Sequence, residues 1–462
     1  MDELIAKSAC EIVDLLRSGE ISTDDTLDAL AARIDEVESE INALPTLCID
    51  RAREHGRAAG LRDTTLAGIP VAIKDLTDVA GVRTTYGCKL SEHHVPETSD
   101  LVVERLETNG GVVYAKSNTP EFGSGGNSFN DVFGATRNPH DSTRSAGGSS
   151  GGAAAALASG TAWLAQGSDL GGSLRTPAAF CGVVSLRPSP GVVTTNPGLT
   201  PFDVYAQKGP MARDVADLAL FADAMAGPSA LTGVSKTHAT EDFRTAAARP
   251  VKPVKVAFSE DLGVTRTSTE IAAVCRQALE KLDRDAIGIE ERHPDLGMMD
   301  AAFDVPRALD YALSYGAQLD EMRDIIKPEN VWNIEYGLQL EADEIRRSME
   351  AQGQVFNNAA QFMQDFDLLI CPATIIPAYP VEERYPGFSD GVPYSDYYRW
   401  LAICCAITTT TLPVITLPCG KTDSGLPVGL QIIGKPHGEI ELFAFASYLE
   451  QIFDWNGGLL QK

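Results

Sequence analysis

A chain of 462 residues with 38 lysines and arginines against 64 aspartates and glutamates carries a formal charge of -26, which repels nucleic-acid backbones and anionic membrane surfaces. Hydrophobic residues at 44% and charged residues at 22% describe a folded globular chain whose length leaves ample volume for a core. The nine scattered cysteines are odd in number and contain no C-x-x-C pair, so they give no zinc or redox pattern and read as mostly buried thiols.

The opening Met1-Asp2-Glu3-Leu4 is acidic where a signal peptide needs a basic stretch. No apolar run approaches the roughly 20 residues that cross a bilayer, so the expected address is the cytoplasm. Ser8 and Glu11 have capping-box spacing, and Ile12, Leu15 and Leu16 recur at helical intervals before Gly19. Ser22 and Asp25 repeat the start signal, after which Leu27, Leu30, Ile34, Val37 and Ile41 lay one apolar stripe along a longer helix. Residues 1–60 therefore read as a helical layer.

From 61 to about 220 the pattern changes to short apolar runs closed by turn residues, at Ile69 to Ile73, Val112 to Ala115, Thr161 to Ala165 and Gly182 to Leu186. These predict buried strands. Between them Gly151 to Ser159, an alanine run ended by Gly160, predicts a helix that packs closely on a sheet. Residues 225–360 read as charged and helical, with Phe303, Leu309 and Tyr311 to Tyr315 as candidates for a wall over a cleft. In 361–462, Asp367 to Cys371, Pro413 to Leu417 and Val428 to Ile433 predict strands, the last two joined by a hairpin turn at Lys421 to Gly425. Strands alternating with helices argue for an α/β sheet covered by helices on both faces.

Two glycine-flanked serines stand out. Ser149 lies in Arg144-Ser-Ala-Gly-Gly-Ser-Ser-Gly-Gly152, and Ser173 in Gly167-Ser-Asp-Leu-Gly-Gly-Ser-Leu-Arg-Thr-Pro177. Glycine leaves backbone N–H groups uncovered, which is what a developing oxyanion needs. Upstream, Gly68-Ile-Pro-Val-Ala-Ile-Lys74-Asp75 ends an apolar run on a lysine, where burial would penalise the ammonium and lower its pKa.

Through these three motifs, in this order and spacing, the chain resembles the amidase signature family. The likeness extends over Glu121-Phe-Gly, Thr136-Arg-Asn-Pro139, Gly209-Pro-Met-Ala-Arg213 and Gly425-Leu-Pro-Val-Gly429, and thins between about 225 and 360. It implies one domain over 1–462 built on a large, mixed, mostly parallel twisted sheet. Within it, 61–220 would be the catalytic core, 225–360 the variable part lining the cleft, and 361–462 the strands that complete the sheet. It implies an amide-cleaving hydrolase in which Ser173 is the nucleophile, Ser149 the bridging hydroxyl and Lys74 the base, with the Gly148 to Ser149 peptide cis. The N–H groups of Leu170, Gly171 and Gly172, with Ser173, would form the oxyanion hole. Phe122, Gly123, Gly125 and Tyr205 are expected at the substrate, a small amide. No cofactor or metal is expected, no nucleic acid or membrane partner, and a homodimer is the default assembly.

Other chemistries fit fewer of the residues. Gly147 to Gly151 also matches Gly-x-Ser-x-Gly, but a Ser-His-Asp site would have to recruit His238, His293 or His437 from charged or loop-like surroundings. Gly429 to Lys435 approaches a phosphate loop, yet Pro436 stands where Ser or Thr must hold magnesium. Within the resemblance, the alternative is the glutaminase component of the glutamyl-tRNA amidotransferase, which works with partner chains. Val204-Tyr-Ala-Gln-Lys208 departs from the Ser-Leu-Asp-Gln-Ile expected of that component, which favours a free-standing amidase. Ser168, where threonine is frequent, and Ser185-Leu-Arg-Pro-Ser189, in place of Gly-Leu-Lys-Pro-Thr, flank the motif without removing any catalytic group.

Overall fold

The computed structural model describes residues 2–196, 202–236, 241–282, 287–455 and 459–460. Eleven strands form one sheet: β1 (Thr46–Leu47), β2 (Pro70–Lys74), β3 (Val112–Ser117), β4 (Leu164–Asp169), β5 (Val184–Arg187), β6 (Gln207–Ala212), β7 (Lys255–Phe258), β8 (Gly288–Glu291), β9 (Leu368–Pro372), β10 (Val414–Lys421) and β11 (Pro427–Ile433). Their spatial order is β1-β3-β2-β4-β6-β5-β10-β11-β9-β7-β8.

The sheet is mixed, but parallel pairing does not dominate it. The pairs β2–β3, β2–β4, β7–β9 and β7–β8 are parallel. Every other neighbouring pair, including the whole centre from β4 to β9, is antiparallel. The cause lies in the connections: β10 and β11 are joined by a tight turn, which forces antiparallel pairing. Two further differences have local reasons. The run at Thr161 enters the sheet only at Leu164, because the N–H groups of Thr161 and Ala162 are spent on the carbonyl of Ala156 at the preceding helix end. β7 and β8 fall inside the stretch read as helical, where single short runs at a sheet edge are outweighed by the charged helices around them.

Helices cover both faces. Helix α1 (Ala9–Ser18) starts with a complete capping box from Ser8 and Glu11, and ends on Gly19 at φ 79°. Helix α2 (Thr23–Ile41) starts with the equivalent box from Ser22 and Asp25. Helix α3 (Gly151–Ser159) is buried along its whole length, as expected of a helix with no polar face, and its small side chains let its neighbours approach closely. A Cβ placed on Gly152 would lie 2.3 Å from the backbone nitrogen of Asn118 and 2.6 Å from the carbonyl oxygen of Ala43. Neither backbone atom yields easily, so Gly152→Ala is expected to lower the unfolding free energy by about 1–3 kcal/mol. An unchanged urea midpoint would contradict that packing.

Helix α4 (Arg175–Cys181) packs against α3 and against β10 and β11. Helix α5 (Val215–Met225) lies on β6 and receives α1: Asp217 accepts from the N–H groups of Ala9 at 2.7 Å and Cys10 at 2.9 Å. Helix α6 (Met299–Tyr315) packs on helix α7 (Pro328–Leu338), helix α8 (Ala342–Phe362) and helix α9 (Ala402–Thr410), and α6 and α9 line the same cavity as the turn that follows Asp169. Residues of α6, α8 and α9, with Phe180 of α4 and the segment before α9, form a second apolar cluster containing Phe303, Trp400, Tyr397 and Tyr398, while Ile334 of α7 belongs to a third cluster. Among the described residues no helix is long and apolar enough to cross a membrane.

Candidate active site

β2 is buried from end to end, and Lys74 closes it with no exposed surface. Its Nζ donates to three hydroxyls: Ser149 Oγ at 2.7 Å, Ser150 Oγ at 2.9 Å and Ser168 Oγ at 3.0 Å. No carboxylate is in this set. Burial therefore drives the ammonium down to a pKa of about 7, although the nearby Asp169 charge pulls the other way. An amine held among hydroxyls rather than carboxylates keeps the neutral form within reach at ordinary pH.

Ser149 follows a cis peptide bond from Gly148 and is almost fully buried. A Cβ on Gly123 would sit 3.5 Å from Ser149 Oγ, so the backbone at Gly123 lies directly against that hydroxyl. Ser173 is half-buried on the turn between β4 and α4, and its carbonyl accepts from the N–H of Ser150 at 3.1 Å. Lys74 and Ser149 are thus in contact, while no hydrogen bond joins the hydroxyls of Ser149 and Ser173 among the described residues.

The turn that carries Ser173 is wound around Asp169. One carboxylate oxygen accepts from the N–H of Gly172 at 3.0 Å and the other from the N–H of Leu174 at 3.0 Å. Arg175 adds a two-pronged ion pair at 3.0 and 2.8 Å, and Arg187 a third cationic contact at 3.2 Å. Burial opposes the Asp169 charge, yet the two guanidiniums hold its carboxyl well below the usual carboxylate range. Arg175 spends its remaining donors on the Cys404 carbonyl at 2.9 Å, Gln431 Oε1 at 2.7 Å and Thr408 Oγ1 at 2.8 Å. The expected oxyanion donor Gly172 is therefore already bonded, and its φ of 115° makes it the bend of the turn. The N–H groups of Leu170, Gly171 and Ser173 donate to no acceptor among the described residues.

Ser173 opens into a cavity of about 50 Å³ whose walls include Gly123, Ser124, Gly125, Gly171, Phe303, Tyr311, Tyr397, Tyr398 and Cys405. Leu170 and Arg307 separate it from a second cavity of about 340 Å³ lined by Tyr205, Pro306 and Asp310. The sequence profile of the Amidase family matches residues 25–443. This chain belongs to the amidase signature family.

Among curated relatives, the protein is 33% identical to a glutamyl-tRNA(Gln) amidotransferase subunit from Halothermothrix orenii, over 97% of this chain and 98% of the other. It is 32% identical to an acylamidase of Rhodococcus erythropolis, over 97% and 96%. Among solved structures it superposes on a bacterial aryl acylamidase of the amidase signature family with a TM-score of 0.89 at 26% identity, covering 97% of this chain and 98% of that one.

Of the amidase residues expected at the substrate, Gly123 and Gly125 line the Ser173 cavity and Tyr205 lines the adjoining one. Phe122 does neither. It stacks on Tyr315 with ring centroids 4.3 Å apart, in a small apolar cluster with Cys88 and Tyr311. His293 bonds the Pro294 carbonyl and His437 bonds Ser189 through its backbone N–H; neither lines the cavity, and His238 lies outside the described residues. Three participants were not anticipated. Ser150 and Ser168 complete the hydroxyl cage, and the motif Gly-Gly-Ser-Ser-Gly-Gly signals only that a second serine adjoins the first. Arg307 reaches the cavity from α6, in a stretch without motif, where nothing in the sequence marks it.

Proposed function

We propose that this amidase is a free-standing hydrolase of small carbon–nitrogen amides, working through Lys74, Ser149 and Ser173 by way of an acyl-enzyme. The observation that carries the reading is the buried Lys74 amine, held at 2.7 Å from Ser149 with its pKa brought down to about 7. A serine hydroxyl attacks well only when a neighbour takes its proton. Substrate would seat its carbonyl in the cavity and bring the hydroxyls of Ser173 and Ser149 into line, since catalytic hydrogen bonds tighten on binding. Ser173 Oγ then bonds to the carbonyl carbon and passes its proton to Ser149 Oγ, whose own proton goes to neutral Lys74. The N–H groups of Leu170, Gly171 and Ser173 would receive the oxyanion. Return of the proton from Lys74 through Ser149 to the nitrogen breaks the C–N bond and releases the amine. Water repeats the sequence on the ester and frees the acid.

The rival reading, the glutaminase component of a tRNA amidotransferase, is supported by the sequence likeness to such proteins. Glutamine presents an ammonium beside its carboxylate, and the residues lining the Ser173 cavity include no acidic side chain to meet it. That lining favours acids and amides without an α-ammonium. The purified chain by itself is expected to hydrolyse simple acyl anilides in preference to L-glutamine, with kcat/KM rising with pH. The direction follows from the base: only neutral Lys74 accepts a proton, so activity grows as pH passes upward through about 7 and then levels off. A rate that falls across that interval, or activity confined to glutamine in the presence of partner chains, would overturn the reading.

A further inference from the structure

Arg307 stands in the wall between the two cavities and is only 5% exposed. Its Nη1 donates to Asn333 Oδ1 and, at 3.0 Å, to the Tyr397 hydroxyl, and its guanidinium carbon lies 4.0 Å from the centre of the Tyr398 ring. Its Nε and Nη2 are buried without a hydrogen-bond partner among the described residues. Among those residues no carboxylate oxygen comes within ion-pair distance of it. Asp304, whose charge acts on Arg307 from beyond that distance, accepts from the Tyr398 hydroxyl at 2.7 Å and from Arg399 at 3.5 Å. A guanidinium stays charged at all ordinary pH, and a buried charge is normally paired because desolvation is costly. Here the described residues place no carboxylate oxygen within ion-pair distance, and Asp304 acts on the guanidinium only at longer range, while Arg307 lines the cavity that holds Ser173.

We propose that Arg307 determines specificity by binding a carboxylate on the acyl group of the amide substrate. This rests on the hydrolase reading above. The acyl side is favoured because Arg307 shares the cavity of Ser173, whose lining has no acidic side chain.

Matched chromogenic pairs test it: N-succinyl-4-nitroanilide against butyryl-4-nitroanilide, and glutaryl against valeryl. In wild type the acid-bearing member of each pair is expected to be preferred in kcat/KM, chiefly through KM. Arg307→Met should lower that preference by about 100-fold, and Arg307→Lys should restore part of it, because an ammonium keeps the charge but loses the fork. Absence of a preference in wild type, or a preference that survives Arg307→Met, overturns the proposal. Should Arg307→Met fail to fold, wild type decides: succinate is expected to bind, by calorimetry, at concentrations where butyramide does not, and equal binding overturns the assignment. Calorimetry requires no turnover. Succinate binding in a protein that hydrolyses neither anilide would sink the hydrolase reading and leave the anion site standing.

Discussion

Ser173→Ala is expected to lower kcat on any amide substrate by roughly 10⁴- to 10⁶-fold while leaving the fold intact. The hydroxyl is the only group removed, and the turn around it is held by Asp169 and by the Ser150 N–H, neither of which touches it. Lys74→Ala should cost a similar factor, and the double replacement little more than either single one, because groups that act as one relay are not additive. A fluorophosphonate should label Ser173 in wild type and fail in Ser173→Ala. Turnover of Ser173→Ala within tenfold of wild type, or label found on another serine, would exclude Ser173 as nucleophile.

The second large effect is on stability. Asp169→Asn keeps the size of the side chain but removes the charge that faces Arg175 and Arg187, both fully buried. Breaking a buried pair by deleting one partner costs about 3–5 kcal/mol, and here two cations lose their counterion. The expected result is an unfolding free energy lowered by that amount, read as a lower urea midpoint at unchanged slope, together with loss of activity, since Gly172 and Leu174 lose part of their acceptor. The contribution has a definite pH sense. A carboxyl held below its unfolded value stabilises the fold above that value and releases the stabilisation as pH falls through the folded one. Wild type should therefore lose this contribution only in strong acid, whereas Asp169→Asn lacks it throughout. Equal midpoints at pH 7 would show that the network contributes little.

How much of this was legible from the residues depended on whether the signal was local. Ser8 with Glu11 and Ser22 with Asp25 marked two helix starts, because a capping box satisfies its own donors within four residues. The alanine run marked α3 to the residue, since small side chains and a closing glycine define it without help from the rest of the chain. Lys74 at the end of a buried strand was readable for the same reason. Strand direction was not, as it depends on how 11 strands order themselves in space. β7 and β8 are four residues each and gain their identity from the edge they join. Gly172 looked like a free donor until the fold brought Asp169 beneath it. Arg307 was invisible, because its meaning comes from Asn333, Tyr397 and Tyr398, the two tyrosines some 90 residues further on.

The links from Arg175 to Cys404, Thr408 and Gln431 bear on how the molecule comes into being. The strand and helix that present the nucleophile are synthesised in the first half of the polypeptide, but part of what fixes their alignment is supplied by atoms made near its end. A chain halted before residue 404 would carry Lys74, Ser149 and Ser173 yet lack the partners of Arg175, and it is expected to be inactive. On that reading, C-terminal truncation is expected to inactivate the molecule even where no reactive group is lost.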